Sequence, residues 1–406
     1  MTTAELVDLA PLIELLALGA VLALLPLAVV VWKARRDGVQ GWPAWQRALT
    51  VATLFLTMDL IAFGAFTRLT DSGLGCPDWP GCYGEASPWG ARDDIRAAHA
   101  EAPHGPVSPT KAWIEMIHRY LATGVGALIT GLMVAAWLRR HHQGGLSPWW
   151  ATATFVWVCV QGAFGALTVT MKLQPIIVSI HLLGAMLGVA LLTAQARVLE
   201  GHRPQLAGAA ALYQAQQAVW QAWRGATLRR AGRWVLALLA AQIALGAWVS
   251  TNYAVLACMD VPTCQGQWWP EMDFRSGFQL WRPLGKDAHG EAITAAALTA
   301  IHMAHRLMAL VVLGALAAYG YALWRWRAGE PSNALNHRAS NPTALPWRRE
   351  AMVLWALAGW QLLTGLSNVV LGWPLAAALA HTVGAALLVW WLVRLLVVPR
   401  ANAGVR

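Results

Sequence analysis

Apolar residues in this chain gather in long blocks separated by short polar connections. Nine blocks stand out, at approximately 11–32, 46–67, 112–138, 149–170, 176–199, 234–250, 296–324, 351–372 and 374–397. As helices rising about 1.5 Å per residue, most of them span a hydrocarbon core of about 30 Å. The pattern predicts an all-α integral membrane protein, with 11–32 as an extra N-terminal transmembrane helix before eight core helices. Composition agrees: 57% of the 406 residues are hydrophobic and 12% charged, which excludes an ordinary soluble domain.

The net charge of +10 points to nucleic acid only if the basic residues share a soluble surface. They sort by side of the membrane instead. With alternate connections assigned to opposite faces, one face takes 20 of the 30 Lys and Arg and four acids. That is the positive-inside pattern, and it predicts an outer N-terminus and an inner C-terminus. The start of the chain does not read as a cleavable signal, because Glu5 and Asp8 precede the apolar stretch and Lys33, Arg35 and Arg36 follow it.

The chain repeats itself. Gly64 precedes Cys76 by the same interval that separates Gly246 from Cys258. A second cysteine follows six positions later in each case, at Cys82 and Cys264. Each loop leads into a helix with a His-Arg pair, His118-Arg119 and His305-Arg306. Gln161 with Gly165 matches Gln361 with Gly365, and His181 and His381 follow each Gln at equal distance. These spacings predict two tandem four-helix-bundle repeats related by a pseudo-twofold axis along the membrane normal. The expected organisation is 1–45 extra helix and inner loop, 46–199 first unit, 200–233 linker, 234–397 second unit and 398–406 tail. Within the linker, 205–230 reads as an amphipathic helix on the inner leaflet or as a flexible connection.

Four histidines enter their helices soon after the outer boundary, about 10 Å deep at helical rise. A single membrane histidine is often a packing residue bonded to a neighbouring helix. Two per repeat, on helices that face each other diagonally, suit a planar cofactor held from both sides. Heme iron fits such a pair; zinc wants three or four protein ligands. Gly124, Gly126, Gly184, Gly188 and Gly384 follow the histidines and offer close approach, to a ring or to another helix. Arg119 and Arg306 are candidates to pair with heme propionates, and His302 rivals His305 as a ligand. Glu115 shares a helix face with His118, while the second unit has His302 at the matching place. That carboxyl group either handles protons or simply favours the positive end of its helix. The paired cysteines lie in outer loops, where a disulfide can close; zinc ligation is the weaker alternative. Cys159 reads as a packing residue.

The run from Thr67 to Cys82, with Glu115-x-x-His118-Arg119, resembles the first outer loop and second-helix motif of the bacterial heme A synthases. The resemblance covers 46–397. It implies oxidation of the C8 methyl of heme O to the formyl group of heme A by successive hydroxylations. It implies a substrate heme on His118 and His181, a heme B for electron transfer on His305 and His381, and a catalytic Glu115. It also implies disulfides Cys76–Cys82, linked to activity, and Cys258–Cys264, structural. The implied setting is the bacterial inner membrane with the cysteine loops periplasmic. A heme O synthase supplies the substrate, and cytochrome oxidase or its assembly factors receive the product. Membrane lipid is a partner, nucleic acid is not, and a homo-oligomer stays open. The rival reading from the residues is a di-heme b-type cytochrome for quinol-linked electron transfer. A two-repeat transporter fits less well, because the buried ionisable groups cluster near the outer face and not at the midplane.

Overall fold

The computed structural model describes residues 10–39, 41–142, 145–200, 227–287, 289–326 and 347–399. Among these, nine helices are long and apolar enough to cross a membrane. They are α1 (Ala10–Arg36), α2 (Trp42–Leu69), α4 (Pro109–Leu138), α5 (Pro148–Thr170), α6 (Pro175–Glu200), α7 (Thr227–Thr251), α8 (Ala295–Arg325), α9 (Trp347–Val370) and α10 (Leu375–Leu396). Helix α3 (Arg92–Glu101) is short and lies in the loop between α2 and α4. The hydropathy pattern passed over it because only Ile95 is buried, so no apolar stripe marks it.

Proline at the first turn and hydroxyl caps set the helix starts. Ser108 Oγ accepts from Lys111 N ahead of α4, and Thr294 Oγ1 accepts from Ala297 N ahead of α8. The observed α7 begins seven residues before the apolar block at 234. Its first two turns carry Arg229, Arg230 and Arg233, which hydropathy reads as loop; Arg229 Nε donates to Leu396 O at 3.0 Å. The reading of 205–230 as an amphipathic segment lies outside the described residues up to 226.

The packing defines two rings of four. In the first, α2 packs on α4, α4 on α5, α5 on α6 and α6 on α2; in the second, α7, α8, α9 and α10 do the same. Neither α4 with α6 nor α8 with α10 packs directly, so each of these pairs lies on a diagonal. The rings meet where α2 and α6 lie against α10 and α6 against α7. The main core fills this junction, with Leu54, Ile61, Val189 and Leu192 meeting Leu239, Leu316, Leu354 and Leu392. Polar contacts tie the rings together at both ends. Arg68 donates to Ser250 O (2.6 Å) and stacks on Tyr253, whose hydroxyl bonds Asp71. At the other end Arg197 Nε donates to Arg394 O (3.1 Å).

Helix α1 belongs to neither ring. It packs chiefly on α4, with Gly19 so close to Thr123 that a Cβ there would stand 2.3 Å from Cγ2. Its outer end reaches the first cysteine loop: Leu15 is buried with Cys76, Cys82 and Met116, and Pro11 lies against Gly81. The extra helix therefore braces the helix that carries Glu115 and His118. Gly19→Leu is expected to lift α1 from α4 at about 1–3 kcal/mol, the usual range for overpacking. A lower thermal midpoint and faster proteolysis between α1 and α2 would report it.

Candidate functional site

The four histidines lie on the diagonal helices, His118 and His181 on α4 and α6, His305 and His381 on α8 and α10. Each ring is laid across a glycine of a neighbouring helix. A Cβ on Gly64 would stand 2.9 Å from His118 Cε1, and one on Gly165 would stand 3.6 Å from His181 Cε1. The second ring repeats this, with Gly246 at 3.0 Å from His305 and Gly365 at 3.3 Å from His381. The equal spacings in the sequence thus mark the positions where an imidazole needs room. Of the glycines that follow the histidines, Gly126 faces open space and the other four serve other neighbours. Gly124 faces Gly19 of α1, Gly184 and Gly384 face Gln161 and Gln361, and Gly188 faces Trp157.

The two pockets differ in how firmly the imidazoles are held. In the second, Gln242 Nε2 lies 3.1 Å from His305 Nδ1, and Thr364 Oγ1 lies 3.0 Å from His381 Nδ1. Leu60 and Phe164 stand at the matching places of the first ring. There the buried Nδ1 atoms of His118 and His181 have no partner among the described residues, and Phe63 stacks on His118 with rings 10° from parallel. All four rings remain partly exposed inside an apolar bundle. Imidazoles placed within apolar helices that keep part of their surface accessible fit the requirements of axial ligands on a planar metal cofactor. The glycine floors fit the same role.

Above each pocket an arginine anchors a cysteine loop. The structure contains both disulfides, Cys76–Cys82 and Cys258–Cys264, with Cα separations of 4.9 and 4.8 Å. Arg119 donates to the carbonyls of Asp78, Pro80 and Gly81 and pairs with Glu115. Arg306 donates to the carbonyls of Cys258, Asp260 and Thr263 and to His302 Nε2. Loop carbonyls therefore take up the donors that were expected to meet propionates. His302 is turned to Arg306, whereas His305 is the histidine laid on Gly246. Glu115 is 3% exposed; its Oε2 accepts from Cys76 N at 2.8 Å, so the carboxylate touches the disulfide loop directly. A favourable helix-end position alone does not require that contact. The predicted packing residue Cys159 is the free cysteine among the described residues and is exposed on α5.

Asp78 and Asp260 were missed by sequence reasoning, although each follows its first cysteine by two positions. Asp78 accepts from Tyr83 N and Gly84 N. Asp260 accepts from Thr263 Oγ1, Gln265 N and Gly266 N. Hydrogen bonds to its ionised form, that from Thr263 foremost, hold the Asp260 carboxyl down to about 2.

A helical membrane protein with two histidine pockets, each beneath an arginine-anchored disulfide loop, is the class that fold and site define. A model of the cytochrome oxidase assembly protein family matches residues 47–393. The heme A synthase of Shewanella oneidensis is 33% identical over 343 residues, 84% of this chain and 92% of that one. Those of Halalkalibacterium halodurans and Rhodopseudomonas palustris are 27% and 26% identical, covering 78% and 82% of this chain and 85% and 84% of theirs. The chain belongs to this cytochrome oxidase assembly family, to which it is joined through the heme A synthases.

Removing Arg119 leaves a buried carboxylate unpaired and three carbonyls without a donor. Arg119→Ala is expected to cost about 3–5 kcal/mol, the range for breaking a buried ion pair from one side. Thermal denaturation against Arg119→Lys measures it. The Asp260 contacts act only on the ionised carboxylate, so the stability they give is present above the ordinary carboxylate range. It is lost as pH falls toward about 2. Proteolysis of loop 258–267 should accelerate across that window in the wild type and be fast already at neutral pH in Asp260→Ala.

Proposed function

We propose that the chain is a heme A synthase, an oxidoreductase that converts the C8 methyl of heme O to the formyl group of heme A. The observation that carries this reading is the inequality of two otherwise parallel pockets. The first has imidazoles whose Nδ1 atoms meet no partner among the described residues, and a buried carboxylate, Glu115, bonded to a disulfide loop. The second has imidazoles held by Gln242 and Thr364, and His302 in place of the carboxylate. An adjustable pocket suits a substrate that must enter and leave; a pinned pocket suits a resident cofactor.

In this reading the chain has two four-helix units, 46–199 and 234–397, related by a pseudo-twofold axis along the membrane normal. His118 and His181 bind the substrate heme, and His305 and His381 bind a heme B. When bound, that heme supplies a one-electron redox centre inside the same chain. Taking a methyl group to a formyl group adds one oxygen atom, counted as water, and withdraws four electrons and four protons, the electrons passing to an external acceptor. Glu115 is the carboxylate nearest the first pocket's ligand on its own helix, and it handles protons at Oε1 and Oε2. Its contacts with Arg119 and Cys76 N fix both oxygens and couple them to the loop. Arg119 and Arg306 position the loops. Gly64 and Gly165 leave the imidazoles free to turn toward the substrate, and the apolar walls exclude bulk water.

The cysteine loops lie on the periplasmic side of a bacterial plasma membrane, with the N-terminus outside and the C-terminus inside. A heme O synthase delivers the substrate through the bilayer, and cytochrome oxidase or its assembly factors receive the product.

Glu115→Gln is expected to keep bound heme and lose formyl production, read by extracting pigments after co-expression with a source of heme O. Normal heme A from that variant removes Glu115 from the chemistry. His118→Ala should lose mainly heme O or heme A, and His305→Ala mainly heme B, by chromatography of extracted hemes. A wild type holding two hemes B and never converting heme O would instead be an electron-transfer cytochrome.

A further inference from the structure

The half of the first ring that lies away from the cysteine loops has a polar interior that its counterpart lacks. On α2, Gln46, Thr50, Thr53 and Thr57 share one face, and each is at most 3% exposed. They span twelve residues, about 16 Å of helix from first to last. Thr154 of α5 and Gln195 of α6, each 2% exposed, face the same interior. Applying the spacings of the repeat, the matching residues of the second ring are Leu228, Gly232, Val235, Leu239, Leu354 and Leu395. Every polar member is replaced by an apolar one. Polar side chains buried in a membrane bundle are costly and mark function more often than packing.

Four of these groups, Gln46, Thr50, Thr154 and Gln195, surround a cavity of about 10 Å³ together with Ile129 and Leu132, and Thr53 and Thr57 continue the polar face above it. That volume holds about one water molecule. The hydrogen bonding is incomplete in the way a water would complete it. Gln46 Oε1 accepts from Leu146 N (2.8 Å), and its Nε2 meets no acceptor among the described residues. Gln195 Nε2 donates to Thr154 Oγ1, and its Oε1 meets no donor among them. The threonine hydroxyls donate to backbone carbonyls one turn back and keep lone pairs for a further donor. In the second ring Tyr319 stands where Leu132 stands in the first. Its hydroxyl lies over Gly232, 2.4 Å from where a Cβ would be, and fills the equivalent space.

We propose that this cavity is a binding site for an ordered water, and that with the threonine hydroxyls above it on α2 it passes protons from the basic end of the bundle toward the first histidine pocket. The loop beside its mouth carries Arg139, Arg140, His141 and His142, which keep that end in contact with bulk water. Thr57, at the top, lies seven residues or about 10 Å of rise below Gly64, the floor of His118. The conduction half of the proposal rests on the first pocket being the oxidising one; the hydration half does not.

Hydration is tested on the full-length heme-loaded protein in lipid nanodiscs by synchrotron radiolysis, in which radicals formed from bound water label adjacent side chains. Ile129, Leu132 and Leu146 are expected to be labelled, whereas the comparably buried Val235, Leu239 and Leu395 of the second ring are not. Labelling should be lost in Gln46→Leu/Gln195→Leu, or in the milder Thr50→Val/Thr154→Val if the former does not fold, with heme content unchanged. Unlabelled Ile129, Leu132 and Leu146 in the wild type, or labelling that survives both variants, overturns the water site. Conduction is tested with Thr53→Val/Thr57→Val. The expected result is slower formyl production with heme content and labelling at Leu132 preserved. An unchanged rate overturns conduction. Absence of formyl product in the wild type would refute the proposed reaction and leave the labelling result standing.

Discussion

An imidazole inside a packed membrane helix has room only where the helix beside it lacks a Cβ. Four such places exist here, at Gly64, Gly165, Gly246 and Gly365, and a histidine lies on each. The pockets follow from this steric condition. It sets the depth of the rings, turns them inward on diagonal helices and leaves their faces open. The rest of the bundle supplies the apolar junction between rings that keeps those glycines and histidines in register.

The same plan, used twice, supports two different environments. Arg119 and Arg306 make nearly the same set of bonds to loop carbonyls, so both disulfide loops are held in the same way. What differs is the partner one turn earlier. In the first ring it is Glu115, which reaches Cys76 N; in the second it is His302, which accepts from Arg306. Below the histidines the contrast continues, with threonine and glutamine in one ring and aliphatic side chains in the other. One ring carries buried polar groups toward both ends, and the other is aliphatic at the matching positions with its imidazoles held by Gln242 and Thr364.

Helix α1 shows how an added span can matter without contributing a ligand. It lies on α4, and its outer end closes over the first cysteine loop through Pro11 and Leu15. It thereby adds support to the ring whose imidazoles are less constrained.

The sequence by itself determined the class of the molecule, because a bilayer demands long apolar blocks and the basic residues mark one end of each. It also carried the paired spacings of glycine, cysteine, arginine and histidine, since these are local and regular. Tertiary structure decided what the spacings are for. Gly64 and His118 belong to different helices, and only packing shows that one is the floor of the other. Arg119 and Arg306 read as propionate partners in the sequence, and folding brings loop carbonyls onto them. Helix α3, the seat of the extra helix on α4 and the polar half of the first ring were not legible for a related reason. Their meaning lies in contacts between distant segments, and hydropathy along one chain cannot tell a buried threonine that lines a cavity from one that bonds its own backbone.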